Sequence, residues 1–124
     1  MGSARLAVVA ALALGLLVAS SSGSTGSGLY GTVRKGPIRP VCQQGVPCDG
    51  PVARTTLVFS KSGREVARVR STAQGTYRLA LEPGYYDITA TAKVGLSKLP
   101  RPHAIHVRAG HWDRINLFFD TGIR

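Results

Sequence analysis

Residues 75–92 read GTYRLALEPGYYDITATA, and strict alternation on both sides of a Pro-Gly pair permits one kind of local structure. Tyr77, Leu79 and Leu81 alternate with Arg78, Ala80 and Glu82. Beyond Pro83-Gly84, Tyr86, Ile88, Ala90 and Ala92 alternate with Tyr85, Asp87, Thr89 and Thr91. A period of two makes each run a strand with one buried face. Pro83 presets φ for a turn and Gly84 tolerates positive φ. The two strands are therefore expected to pair as a hairpin in the middle of an antiparallel sheet.

The same alternation places five more strands. Leu29 to Arg34 sets Leu29, Gly31 and Val33 against Tyr30, Thr32 and Arg34, and a glycine inside a strand marks close backbone approach or a bulge. Thr55 to Ser60 is followed by the turn Lys61-Ser62-Gly63 and by Glu65 to Ser71, where Ala67 and Val69 oppose Val66, Arg68 and Arg70. His103 to Val107 turns Ile105 and Val107 inward. His111 to Phe119 turns Ile115, Leu117 and Phe119 inward and leaves Trp112, Arg114, Asn116 and Phe118 on the other face, which implies partial cover of Trp112 and Phe118 by a loop. Seven short strands with turn signals and no helical periodicity beyond residue 28 predict one β-sandwich domain, an all-β fold.

The start of the chain stands outside that pattern. Arg5 precedes a 14-residue apolar run, Leu6 to Ala19, and then small residues to Gly28. This is the layout of a secretory signal, expected at 1–23, with a flexible Gly/Ser spacer at 24–28. The apolar run is shorter than the ~20 residues of a spanning helix; the alternative is an uncleaved anchor. No cysteine follows it, so no lipoprotein anchor is expected. The chain carries 16 basic and 6 acidic residues, a net charge of +10. A basic exported domain favours anionic surfaces. Nucleic acid is not the expected partner, because zinc-finger spacing, a basic helix and an aromatic RNA-binding motif are all missing.

The only two cysteines, Cys42 and Cys48, lie in a long Pro- and Gly-rich loop, 35–51. Export to an oxidising compartment, together with Gly45 and Pro47 between them, predicts a disulfide that staples this loop. Two cysteines without a local histidine pair are a weak zinc signal, and no metal or other cofactor is expected.

Taken together, GLYGTV, TTLVF, GTYRLALEPGYYDITA, a Pro-led strand and a closing INLFFD resemble the carboxypeptidase regulatory-like domain. The most specific part is G-x-Y-x-L-x-L-x-P-G-x-Y, carried by Gly75, Tyr77, Leu79, Leu81, Pro83, Gly84 and Tyr86. The resemblance covers 29–120 and leaves 121–124 as a tail. It implies a prealbumin-like (transthyretin-like), seven-stranded antiparallel Greek-key sandwich, related to collagen-adhesin B-type repeats, with an extracellular accessory role. A hydrolase of the transthyretin-related type would end Tyr-Arg-Gly-Ser, where this chain reads Thr121-Gly122-Ile123-Arg124. The isopeptide bond of the adhesin repeats would need Lys35, Asn116 and Glu82, but alternation turns Asn116 and Glu82 away from the core, where that chemistry requires desolvation.

No residue set supports catalysis. Nothing local marks a nucleophile and base, and His103 and His106 point to opposite faces of a strand. Two readings remain: a secreted, monomeric, non-catalytic module that engages the cell envelope or another secreted protein, or a binding domain for carbohydrate or an anionic wall polymer. If the strand 65–71 pairs with 77–81, Arg78 opposes Arg70 or Arg68. Those three arginines then form a face that is screened by water or occupied by an anion. Tyr30, Tyr85 and Trp112 are the candidate aromatic platform for a sugar.

Overall fold

Where every second side chain is apolar, the chain extends and buries that set. The computed structural model describes residues 26–123; the expected leader at 1–23, spacer positions 24–25 and Arg124 lie outside the described residues. Nine strands form among them: β1 Gly28–Gly36, β2 Gly50–Pro51, β3 Thr56–Lys61, β4 Arg64–Arg70, β5 Thr76–Ala80, β6 Gly84–Ala90, β7 Ala104–Val107, β8 Trp112–Arg114 and β9 Leu117–Asp120. No helix among the described residues is long and apolar enough to cross a membrane.

The strands form two sheets. In the first, β1 is the shared spine: β5 and β2 pair with it antiparallel along one side, β8 and β9 parallel along the other. The second has the order β4-β3-β6-β7 and is antiparallel throughout. Leu29, Val33, Tyr77, Leu117 and Phe119 of the first sheet meet Leu57, Phe59, Tyr86, Ile88, Ile105 and Val107 of the second in one core. The all-β, two-sheet architecture matches the expectation. The expected seven strands become nine, because the long loop contributes β2 and the last strand breaks at Ile115-Asn116. Nor is the fold wholly antiparallel, since β8 and β9 run parallel to β1.

The largest correction concerns residues 75–92. β5 and β6 do not pair; they belong to different sheets. Leu81, just past β5, stays with the start of β1: its N–H donates to the Ser27 carbonyl at 3.1 Å, and the Ser27 hydroxyl donates to the Leu81 carbonyl at 2.6 Å. Pro83 has no N–H with which to continue a ladder. The chain therefore crosses between the sheets over Glu82-Pro83, where the Glu82 carbonyl accepts the Tyr86 hydroxyl at 2.5 Å. Tyr77 and Leu81 then approach the core from one side, Tyr86, Ile88 and Ala90 from the other. Ala92, beyond the end of β6, is exposed. Ser27, expected in a flexible spacer, is buried, and Gly28 begins β1.

The chain does make a tight hairpin between β3 and β4. Ser62 and Gly63 both adopt positive φ, 49° and 78°, as a type I′ two-residue turn requires. The ladder slips between Phe59 and Ser60, so Phe59 faces Ala67 and Ser60 faces Glu65, leaving Val66 unopposed and exposed. Across the molecule, the Cys42–Cys48 disulfide closes its loop with a Cα–Cα distance of 5.5 Å. An Arg34–Asp49 ion pair at 2.6 Å ties the end of that loop to β1.

Candidate anion-binding face

The outward side of the first sheet gathers side chains from three strands. Tyr30 on β1 is in register with Arg78 on β5 and with Arg114 on β8. One step along, Trp112 is in register with Gly28. A Cβ at Gly28 would lie 2.6 Å from atoms of the indole, so the missing side chain lets that ring lie down over β1. There it reaches Arg78, whose guanidinium carbon sits 4.0 Å from the ring centroid. Such a contact is worth about 0.5–1 kcal/mol at an exposed site and favours keeping the guanidinium over the ring.

The floor of this face is set by the break between β8 and β9. Gly31 allows the chain to approach so closely that a Cβ there would be 2.3 Å from the Ile115 carbonyl oxygen. The buried Tyr77 hydroxyl donates to that oxygen at 2.7 Å, and the Asn116 side-chain oxygen accepts the Thr32 N–H at 3.0 Å. Burial pushes the Tyr77 hydroxyl pKa well up, so it stays a neutral donor. Tyr30, Thr32, Thr76, Arg78, Arg114 and Asn116 line the shallow cavity above.

Electrostatically the face is unbalanced. Neither Arg78 nor Arg114 has a carboxylate partner among the described residues. Asp113, between Trp112 and Arg114 in sequence, is engaged by Arg108 at 2.8 Å; the hydrogen bonds from that guanidinium hold its carboxyl below the usual range. Two guanidinium groups flanking one tyrosine repel each other, and a bound anion would relieve that repulsion.

The other expected residues are placed differently. β4 and β5 lie in separate sheets, so Arg78 does not oppose Arg68 or Arg70, and the three arginines do not share a face. Arg68 is neutralised by Glu65 through two hydrogen bonds of 2.7 and 2.8 Å, and this contact lowers the Glu65 pKa. Arg70 faces Thr56 across the β3–β4 ladder. Tyr85 is exposed on β6, stacked on His106 with centroids 4.2 Å apart, and so belongs to the second sheet and not to the group around Trp112. Asn116 and Glu82 are exposed. Phe118 is covered by the loop before β7: Arg101 and Phe118 exchange two backbone hydrogen bonds, and the guanidinium lies over the ring.

Arg114 is the residue that sequence reasoning passed over. Its alternation with Trp112 put both on one face, but only the parallel pairing of β8 with β1 brings it beside Tyr30. No protein-family model matches the chain, and no match to a curated protein is found.

Proposed function

We propose that the chain is a secreted, non-catalytic binding module that holds an anionic polysaccharide or wall polymer on the outward face of the first sheet. Its resemblance to the carboxypeptidase regulatory-like domain, with a prealbumin-type Greek-key arrangement, accords with an accessory role outside the cell. The observation that carries the reading is the group Tyr30, Arg78, Trp112 and Arg114, in which two guanidinium groups without a carboxylate partner among the described residues flank an aromatic and one lies over an indole. Guanidinium forks suit carboxylate, sulfate and phosphate groups, and aromatic faces suit sugar rings. Trp112 acts in this arrangement chiefly by orienting Arg78, and Tyr30 presents the sugar platform.

Binding of the purified chain to polygalacturonate and to a teichoic acid, with neutral dextran as the control, tests it. Arg78→Ala and Arg114→Ala should each weaken binding by about tenfold, the scale of one charge-assisted hydrogen bond, and salt should weaken it further. Arg68→Ala, on the other sheet, should leave it unchanged. Equal losses at Arg68 and Arg78, or equal binding to dextran, would show that net charge or nonspecific contact accounts for the effect.

A further inference from the structure

Because β1 and β9 run parallel, their C-terminal ends lie side by side, and two loops converge there. The Gly36 carbonyl accepts the Thr121 N–H at 2.9 Å, and the Asp120 carbonyl accepts the Leu96 N–H at 3.0 Å. Six of the eight large apolar side chains exposed among the described residues come from the segments that meet here: Ile38, Val41, Val46, Leu96, Leu99 and Ile123. Val41 is 68% exposed and Leu96 57%. Isolated exposed apolar residues are ordinary, but a collection of them at one end of a domain marks a contact surface.

The loops that carry these side chains are fixed, and Leu96, though 57% exposed, rests its inner side against Gly122. The disulfide and the Ile38 N–H to Cys48 carbonyl bond of 2.8 Å fix one loop. The other is tightened by the Val94 N–H to Ser97 carbonyl bond of 3.0 Å. Gly95, at φ 73°, packs so closely that a Cβ would lie 2.5 Å from the Asp120 carbonyl oxygen. Lys35, Arg39, Lys93, Lys98 and Arg101 belong to the same segments. Of the carboxylates at this end, Asp49 is paired with Arg34, and Asp120 accepts the Gly122 N–H at 2.9 Å.

This combination selects the occupant. A second copy would bring another +10 charge to a basic surface. A soluble polyanion would match the lysines and arginines but leave the valines and leucines in water. An anionic bilayer offers phosphates to the cations and an acyl boundary to the apolar tips. We propose that this loop end docks on anionic phospholipid membranes, with Val41, Leu96 and Leu99 entering the headgroup boundary while Lys93, Lys98 and Arg101 engage phosphate. The surface is separate from the Arg78–Trp112 face and does not depend on it.

The test must resolve position, because the apolar run 6–19 in the full chain also has affinity for lipid. In a Trp112→Phe background, single tryptophans are placed at Leu96→Trp, at Leu99→Trp and, as a control on the second sheet, at Tyr85→Trp. Vesicles of phosphatidylcholine, alone or mixed with phosphatidylglycerol, carry brominated acyl chains. Tryptophan at 96 or 99 should be quenched on the phosphatidylglycerol vesicles and the one at 85 should not. Lys98→Ala should weaken that quenching by about fivefold, the scale of one basic residue near an anionic surface. Equal quenching at all three positions, quenching at none, or no preference for phosphatidylglycerol would overturn the proposal. Quenching of neither loop tryptophan together with capture of an acidic protein partner would assign this end to protein contact instead.

Discussion

A methyl group at position 31 would meet the Ile115 carbonyl oxygen at 2.3 Å, an oxygen already accepting the Tyr77 hydroxyl. Backbone faces backbone there, so neither side can yield without breaking the parallel contact between β1 and the β8–β9 break. Gly31→Ala should destabilise the fold by about 2 kcal/mol, within the range of overpacked interiors. Gly50→Ala, whose new methyl would find only Ile38 at 3.8 Å, should change stability by less than about 0.5 kcal/mol. Urea denaturation of the two variants checks this, and equal effects would mean that the close approach at Gly31 is soft. That Gly31 needs close approach was legible from its place inside an alternating strand. Which atom approaches it was not, because Ile115 lies far along the chain and nothing local encodes that pairing.

At the scale of elements, alternation reports which side chains face the core and is silent about which strand lies alongside. Tyr77, Leu81, Tyr86 and Ile88 are buried as their spacing requires, yet β5 and β6 sit in opposite sheets. A hairpin and a crossing between sheets bury the same residues, so the sequence signal fits both. What decides between them is the pair of bonds between Ser27 and Leu81, made by a serine that looked like spacer. The same ambiguity paired Arg78 with Arg68 and Arg70 when its neighbour is Tyr30. The disulfide, by contrast, was legible, since two cysteines in one loop leave a single intramolecular pairing. At the true hairpin, Ser62 holds φ 49°, a region that costs an ordinary L-residue and that asparagine tolerates better. Ser62→Asn should therefore raise stability by roughly 0.5–1 kcal/mol, seen as a higher urea midpoint with an unchanged slope; a lower midpoint would mean that serine makes a contact worth more than the turn preference.

For the molecule as a whole, charge is the dominant variable. Glu65 and Asp113 are held below their ordinary values, 4.5 and 3.8, chiefly by hydrogen bonds from Arg68 and Arg108. A depressed carboxylate stabilises the fold above its unfolded value, and that contribution is lost as pH falls through the depressed one. The melting temperature should thus hold steady through neutral pH and decline once pH drops below about 4.5. Both pairs are open to solvent, Glu65 exposed and Asp113 half-buried, so the decline should be shallow. Protonation also raises a net charge that is already +10, and added salt should soften the acid loss by screening this repulsion. Asp113→Asn should remove part of the pH dependence. A melting temperature unmoved by acid in low salt would show that neither the ion pairs nor the repulsion matters.

β1 takes part in every ladder of its sheet, with partners that begin at Gly50 and end at Asp120. Among the described strands β1 comes first in the chain, and its parallel neighbours β8 and β9 come last. The sheet therefore cannot close until β9 is available, and its slowest step should be the search by β8 and β9 for a strand that lies about 80 residues earlier. The second sheet carries no such requirement, since β4, β3, β6 and β7 are all in hand before β8 is reached, so one half of the sandwich can assemble while the other waits for its last strand.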